Sequence, residues 1–162
     1  MHQFRSFVSL PSRAAGSFEM ALDIDPSESA DLALLAQHGW SLVDPRRAAG
    51  SPEAFRRYVQ GSGAEFSVAQ EVYVATGSGW FSDRSTRYLA SGRPVLVQDT
   101  GFSRTLPVGE GLVTFSTMDD AVVGARRIVE DYGAHAAAAR LLAEEHFDSD
   151  RVLSGFLERA LA

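Results

Sequence analysis

Residues 94–97, Pro-Val-Leu-Val, form a short unbroken apolar run closed by Gln98 and by the turn Asp99-Thr100-Gly101. A run this short suits a strand better than a helix, and one without polar alternation suits a strand covered on both faces. Ahead of it, residues 83–91 carry a helical pattern that ends at Gly92. This helix-turn-strand arrangement, with further apolar segments on either side, predicts an α/β fold whose parallel sheet is flanked by helices.

The remaining elements extend that pattern. Pro26-Ser27 opens a helix to about His38 that Gly39 stops, and Trp40–Val43 reads as a strand closed by Asp44-Pro45. Ser51-Pro52-Glu53 begins a helix to about Gly61, with Phe55, Tyr58 and Val59 on its apolar side. Residues 66–69 and 72–75 read as extended segments, and Leu112–Phe115 as a strand. The caps and acidic residues at 116–120 begin a helix to about Asp131, and the rest is helical, split at Asp148-Ser149-Asp150. The chain of 162 residues has room for one such domain. Residues 1–26 are expected to form a connecting arm and residues 27–162 a Rossmann-like domain with a helical C-terminal segment.

Composition removes several chemistries. A net charge of −6 disfavours nucleic acid as a partner, since that affinity rests on basic residues meeting phosphates. All 15 basic residues are Arg and none is Lys, so Schiff-base chemistry and a Walker lysine are out. No Cys is present, and His2, His38, His135 and His146 lack metal-ligand spacing, so no metal site is expected. Surface or helix-end roles are expected for the four histidines. No G-x-S-x-G elbow occurs, although Ser62 and Ser78 each stand between glycines. No apolar stretch approaches a membrane span and no signal-peptide run opens the chain, which points to a cytoplasmic location.

The turn after residues 72–75 is the remaining candidate site. Gly77, Ser78 and Gly79 allow a backbone to approach an anion closely, and Ser82, Asp83 or Ser85 can cap the helix that follows. Arg84 or Arg87 can neutralise an anion at that helix start. A well-capped turn without a ligand uses the same residues. The spacing Gly77-x-Gly79-x-x-Ser82, with Asp99 about twenty residues on, also approaches a dinucleotide fingerprint, with Ser82 in place of the third glycine.

The runs G-W-F-S-D-R-x-x-x-Y-L-A-x-G-R-P-V, Q-D-T-G-F and L-P-x-G-E-G-L, at residues 79–112, resemble the C-terminal half of bacterial glycosyltransferase-like proteins of the GT-B fold. The resemblance extends from about Phe4 to Leu157 and is densest between Glu65 and Phe115. It implies half of a GT-B architecture, a Rossmann-like domain that binds a nucleoside diphosphate sugar as substrate, with no resident cofactor or metal. The Gly77–Arg84 turn, including Trp80, would lie near the diphosphate, with Thr100, Gly101 and Phe102 as the neighbouring turn and Glu110 on the same edge. Gly79 and Arg87 stand where many retaining members carry a pair of Glu, so the ribose contact is expected from elsewhere. The family's acceptor domain is not expected within this length, and the chain alone is not expected to transfer sugar. An acceptor-domain partner, or a homodimer in a non-enzymatic interaction module, is the expectation that follows.

Overall fold

The computed structural model describes residues 2–161. Its strands are all parallel and form two small sheets. Strand β1 (Phe18–Ala21) pairs with β2 (Trp40–Val43), and β3 (Glu65–Ser67), β4 (Val95–Gln98) and β5 (Leu112–Phe115) pair in the order β3-β4-β5. Around them lie α1 (His2–Arg5), α2 (Ser29–Gln37), α3 (Pro45–Ala49), α4 (Pro52–Gly61), α5 (Glu71–Thr76) and α6 (Asp83–Ala90). The chain closes with α7 (Met118–Glu130), α8 (Tyr132–His146) and α9 (Ser149–Leu161). Among the described residues, no helix is long and apolar enough to cross a membrane.

The apolar run at 94–97 does what its pattern requires. All four residues of β4 are buried, with Val95 and Val97 on one face and Leu96 on the other. Val95 and Val97 pack with Val59, Leu89, Phe102 and Leu142, whereas Leu96 packs with Val113, Ala125 and Ile128. Helices α4, α6 and α8 therefore cover one face of the three-stranded sheet and α7 the other. Two sheets stand where the sequence suggested one.

Helix starts follow local chemistry. Ser51 Oγ accepts from the Ala54 N–H at 3.1 Å, and Ser82 Oγ from the Arg84 N–H at 3.2 Å. Thr117 and Asp120 form a reciprocal capping box at the start of α7. In α6 the inward residues are Ser85, Tyr88 and Leu89, while Ala90 is exposed.

Three segments depart from expectation. Residues 72–75 lie in a helix, α5, rather than a strand. Their β-branched composition suggested an extended segment, but the Gly77 N–H donates to Val74 O and the Ser78 N–H to Tyr73 O, both at 3.2 Å. With Gly77 at φ +57, this is a Schellman stop, which only a helix presents. Residues 1–26, expected as an arm, contain β1 and place Phe7 and Leu10 in the core beside Phe115. His135, expected at the surface or a helix end, does stand at a helix end, in the first turn of α8, but is buried there, and its Nδ1 accepts the Gly111 N–H at 3.1 Å.

That last contact depends on close approach. Gly111 has φ +78, and a Cβ there would overlap the Ala139 nitrogen and come within 2.8 Å of the Ala139 Cα. Gly133, exposed in the same helix, has no atom within 4 Å of a built Cβ. We expect Gly111→Ala to lower unfolding free energy by about 3 kcal/mol through backbone strain and overlap. Gly133→Ala should raise it by roughly 0.5 kcal/mol by restricting the unfolded chain. Urea denaturation of both variants tests this, and similar effects from the two would contradict the assignment.

Candidate functional site

Parallel strands put their carboxyl ends on one edge, where an α/β fold most readily takes a ligand. At that edge of β4, Asp99 makes a tight turn: Oδ1 accepts the Gly101 N–H at 2.8 Å and Oδ2 the Ser103 hydroxyl at 2.6 Å. The carboxylate that the dinucleotide reading assigned to a ribose is thus used within its own loop. Thr100 is buried and ties this turn to the glycine turn. Its carbonyl accepts the Gly79 N–H at 2.8 Å, and its hydroxyl donates to Trp80 O at 2.6 Å.

The structure therefore brings Gly77, Ser78, Gly79 and Trp80 together with Thr100 and Gly101. The glycine turn reaches the sheet edge from the end of a helix rather than directly from a strand. Its amides are spent internally: the Ser78 N–H bonds Tyr73 O, and the Trp80 N–H bonds Ser78 Oγ at 3.3 Å. An anion here would rely on side chains more than on a backbone cradle.

One such side chain is Arg104, which the sequence did not single out. It lies one 3-10 turn past Gly101 and folds back so that Nη2 donates to Gly77 O at 2.8 Å. Gly101, at φ +97, makes room for it, since a Cβ there would stand 2.5 Å from Arg104 Nη2. Tyr73 is a second addition. Its ring stacks on Trp80 with centroids 5.0 Å apart and planes 10° apart, and both rings are half-buried. The available signal was an Arg three residues beyond a turn glycine, and an aromatic residue one helical turn before a Schellman glycine.

The other nominated residues lie apart from this turn or serve the core. Ser82 caps α6, and Asp83 pairs with Arg87 at 3.0 Å. The Arg87 guanidinium stands 5.5 Å above the Phe55 ring of α4. Arg84 turns to β3, where Nε donates to Glu65 Oε1 at 2.5 Å and Nη2 to Ser67 Oγ at 2.9 Å. Phe102 is fully buried in the core. Glu110 precedes β5, so the parallel register sets it at the amino end of the sheet, away from Thr100. Among the described residues, no three His, Asp or Glu side chains converge as metal ligands. Scans of protein-family models, of curated proteins and of solved structures returned no match.

Glu110 does act on its neighbour His135. Burial lowers the His135 pKa below its ordinary value of 6.5, and the Arg127 charge lowers it further, while Glu110 and Asp131 oppose the shift. A histidine harder to protonate when folded lets the unfolded chain take the proton first as pH falls. Its contribution to stability is full above the unfolded value and is lost as pH falls toward the folded one. The urea midpoint should drop between about pH 7.5 and about pH 5.5, and His135→Gln should flatten that drop. An unchanged pH slope in the variant would contradict the role assigned to His135.

Proposed function

We propose that the chain is the nucleoside-diphosphate-sugar-binding half of a glycosyltransferase-like protein of the GT-B type. The observation that supports this is the combination at the β4 edge: a left-handed glycine turn bound to Thr100, a guanidinium lying across it, and a stacked aromatic pair beside it. Arg104 would meet the diphosphate, because a planar guanidinium can hold two phosphate oxygens at once. Trp80, backed by Tyr73, would offer its face to the base. Gly77, Gly79 and Gly101 keep the turn thin enough for approach, and Ser82 fixes the start of α6. In this reading the domain holds the donor, and a second, acceptor-binding domain completes the enzyme.

Calorimetric titration with UDP, TDP and GDP and their sugars tests the reading directly. We expect saturable heat with at least one of them. Loss of one charge-assisted contact is worth about 1.5 kcal/mol, so Arg104→Gln should weaken binding roughly tenfold, while Arg126→Ala leaves it unchanged. No heat from any nucleotide with folded protein would sink the proposal.

One observation favours a second reading, an interaction module without catalysis. Val152, Leu153, Phe156, Leu157 and Leu161 of α9 are all exposed, and no residue of that helix is buried. A stripe of that width on one helix is what a partner or a second copy would cover. Light scattering after size exclusion should then report a dimer that Phe156→Glu converts to monomer. A monomeric wild-type chain would remove the homodimer from this reading.

A further inference from the structure

The two sheets leave an open cleft between them of about 1040 Å³. It is bordered by every residue of β1 but only by Trp40 of β2, and on the far side by Glu65 and Phe66 of β3. From this cleft the strand order runs outward in both directions, to β2 on one side and to β4 and β5 on the other. Residues 15–17 and 61–64, which precede β1 and β3, also line it, so it reaches the amino ends of both strands, and a concave, mostly apolar cleft of this kind suits a small molecule. The walls are apolar and aromatic, supplied by Phe18, Trp40, Phe55, Tyr58, Phe66 and Tyr88.

Arg84 lines the cleft with its side chain 50% exposed. Its two protein contacts, to Glu65 Oε1 and Ser67 Oγ, use Nε and one hydrogen of Nη2. The guanidinium carries five donors, so both Nη1 hydrogens and one on Nη2 have no assigned acceptor among the described residues. Glu65 is only 5% exposed, and its second oxygen, Oε2, is buried with no hydrogen-bond partner. A half-satisfied buried carboxylate is costly, and an exposed ion pair could fasten α6 to β3 without it. Its effect here is to fix the plane of a guanidinium on the cleft wall with its terminal nitrogens unspent.

We propose that this cleft binds a small monocarboxylic acid with an apolar, preferably aromatic, body. The carboxylate pairs with the terminal nitrogens of Arg84, and the body lies between the aromatic walls. Glu19 and Glu65 line the cleft against Arg57 and Arg84, so these four charges cancel and a phosphate dianion meets more repulsion from the two carboxylates than a monoanion does. The hydroxyls of the cleft are engaged within the protein, Ser62 Oγ donating to Tyr58 O at 2.8 Å, so Arg84 supplies the polar recognition. Burial, and a hydrogen bond to Glu19, raise the Tyr58 phenol above its ordinary value, so it stays protonated. The Tyr88 and Ser62 hydroxyl oxygens lie 3.5 Å apart. None of Gly77, Thr100, Gly101 or Arg104 lines this cleft, so the site is separate from the one proposed for nucleotide.

The test titrates isotope-labelled full chain with benzoate, phenylacetate and indole acetate while following the Arg84 Nε–H resonance. Inorganic phosphate and benzyl alcohol serve as controls for anion alone and apolar body alone. We expect saturable shifts with at least one carboxylate and none with either control. Arg84→Lys, which keeps the charge but not the fork, should weaken the binding about tenfold. Saturating carboxylate should leave UDP binding unchanged, or leave UDP equally silent if the nucleotide reading fails. The proposal is overturned if no carboxylate saturates, if phosphate or benzyl alcohol binds as well, if Arg84→Lys binds equally, or if UDP competes. The wild-type titrations decide the matter even where Arg84→Lys does not fold.

Discussion

The fold depends on one ring. Phe66 is the middle residue of a three-residue strand, yet it stacks on Phe115 of β5 with centroids 5.2 Å apart. It also meets Phe7 edge-on at 6.5 Å, Phe18 of β1 at 6.4 Å and Trp40 of β2 at 6.3 Å. Through it the N-terminal segment, the two-stranded sheet and the three-stranded sheet share one aromatic cluster. Backbone pairing does not join the sheets, so side-chain packing must. Trp40 reinforces the junction by donating its indole N–H to Val8 O at 2.7 Å. Packing of this kind fixes distance at a few points and leaves space elsewhere, and that space is the cleft beside β1.

Strand polarity then decides which loops can cooperate. Because β4 and β5 are parallel, the turn after β4 and the loop before β5 lie at opposite ends of the sheet. Thr100 and Glu110, ten positions apart in sequence, cannot serve one ligand there. Each loop is instead held by its own partner. Thr100 binds the glycine turn, and Gly111 binds His135 of α8. In both the glycine, Gly79 or Gly111, has positive φ, and at Gly111 close approach to Ala139 adds a second demand.

What was legible in the sequence follows from local rules. The β4 run, the Ser51 and Ser82 caps and the Thr117–Asp120 box are each set by residues within a few positions of one another, so pattern and structure agree. Val72–Ala75 was misread because β-branched residues in a six-residue helix carry no apolar period, and Val72 is in fact exposed. The Schellman geometry at Gly77 decides that segment, and a glycine alone does not distinguish a helix stop from a ligand turn. The strand at 18–21 was missed because its partner, β2, lies about twenty residues away, and pairing that distant leaves no mark on the local pattern. The helix-end place of His135 agrees with its sequence context, whereas its burial leaves no local mark, since its acceptor role exists only once Gly111 arrives from a different loop.

The destination of Arg84 shows where such reading stops. At about 100° per residue, Ser85 and Leu89 define the inward side of α6, Arg84 falls on the flank shared with Tyr88, and Arg87 lies about 60° further round, nearly opposite the inward side. Helical spacing thus puts the two arginines on adjoining parts of one side. It does not say which neighbour that side meets. Here the neighbours are β3 and α4, so Arg84 finds Glu65 and Ser67, and Arg87 finds Phe55. The glycine turn at the other end of the same loop receives Arg104 instead. A single short helix therefore separates two cationic environments, one at the sheet edge and one in the cleft. In the second, buried Glu65 holds Arg84 through Oε1 alone, and its Oε2 has no hydrogen-bond partner.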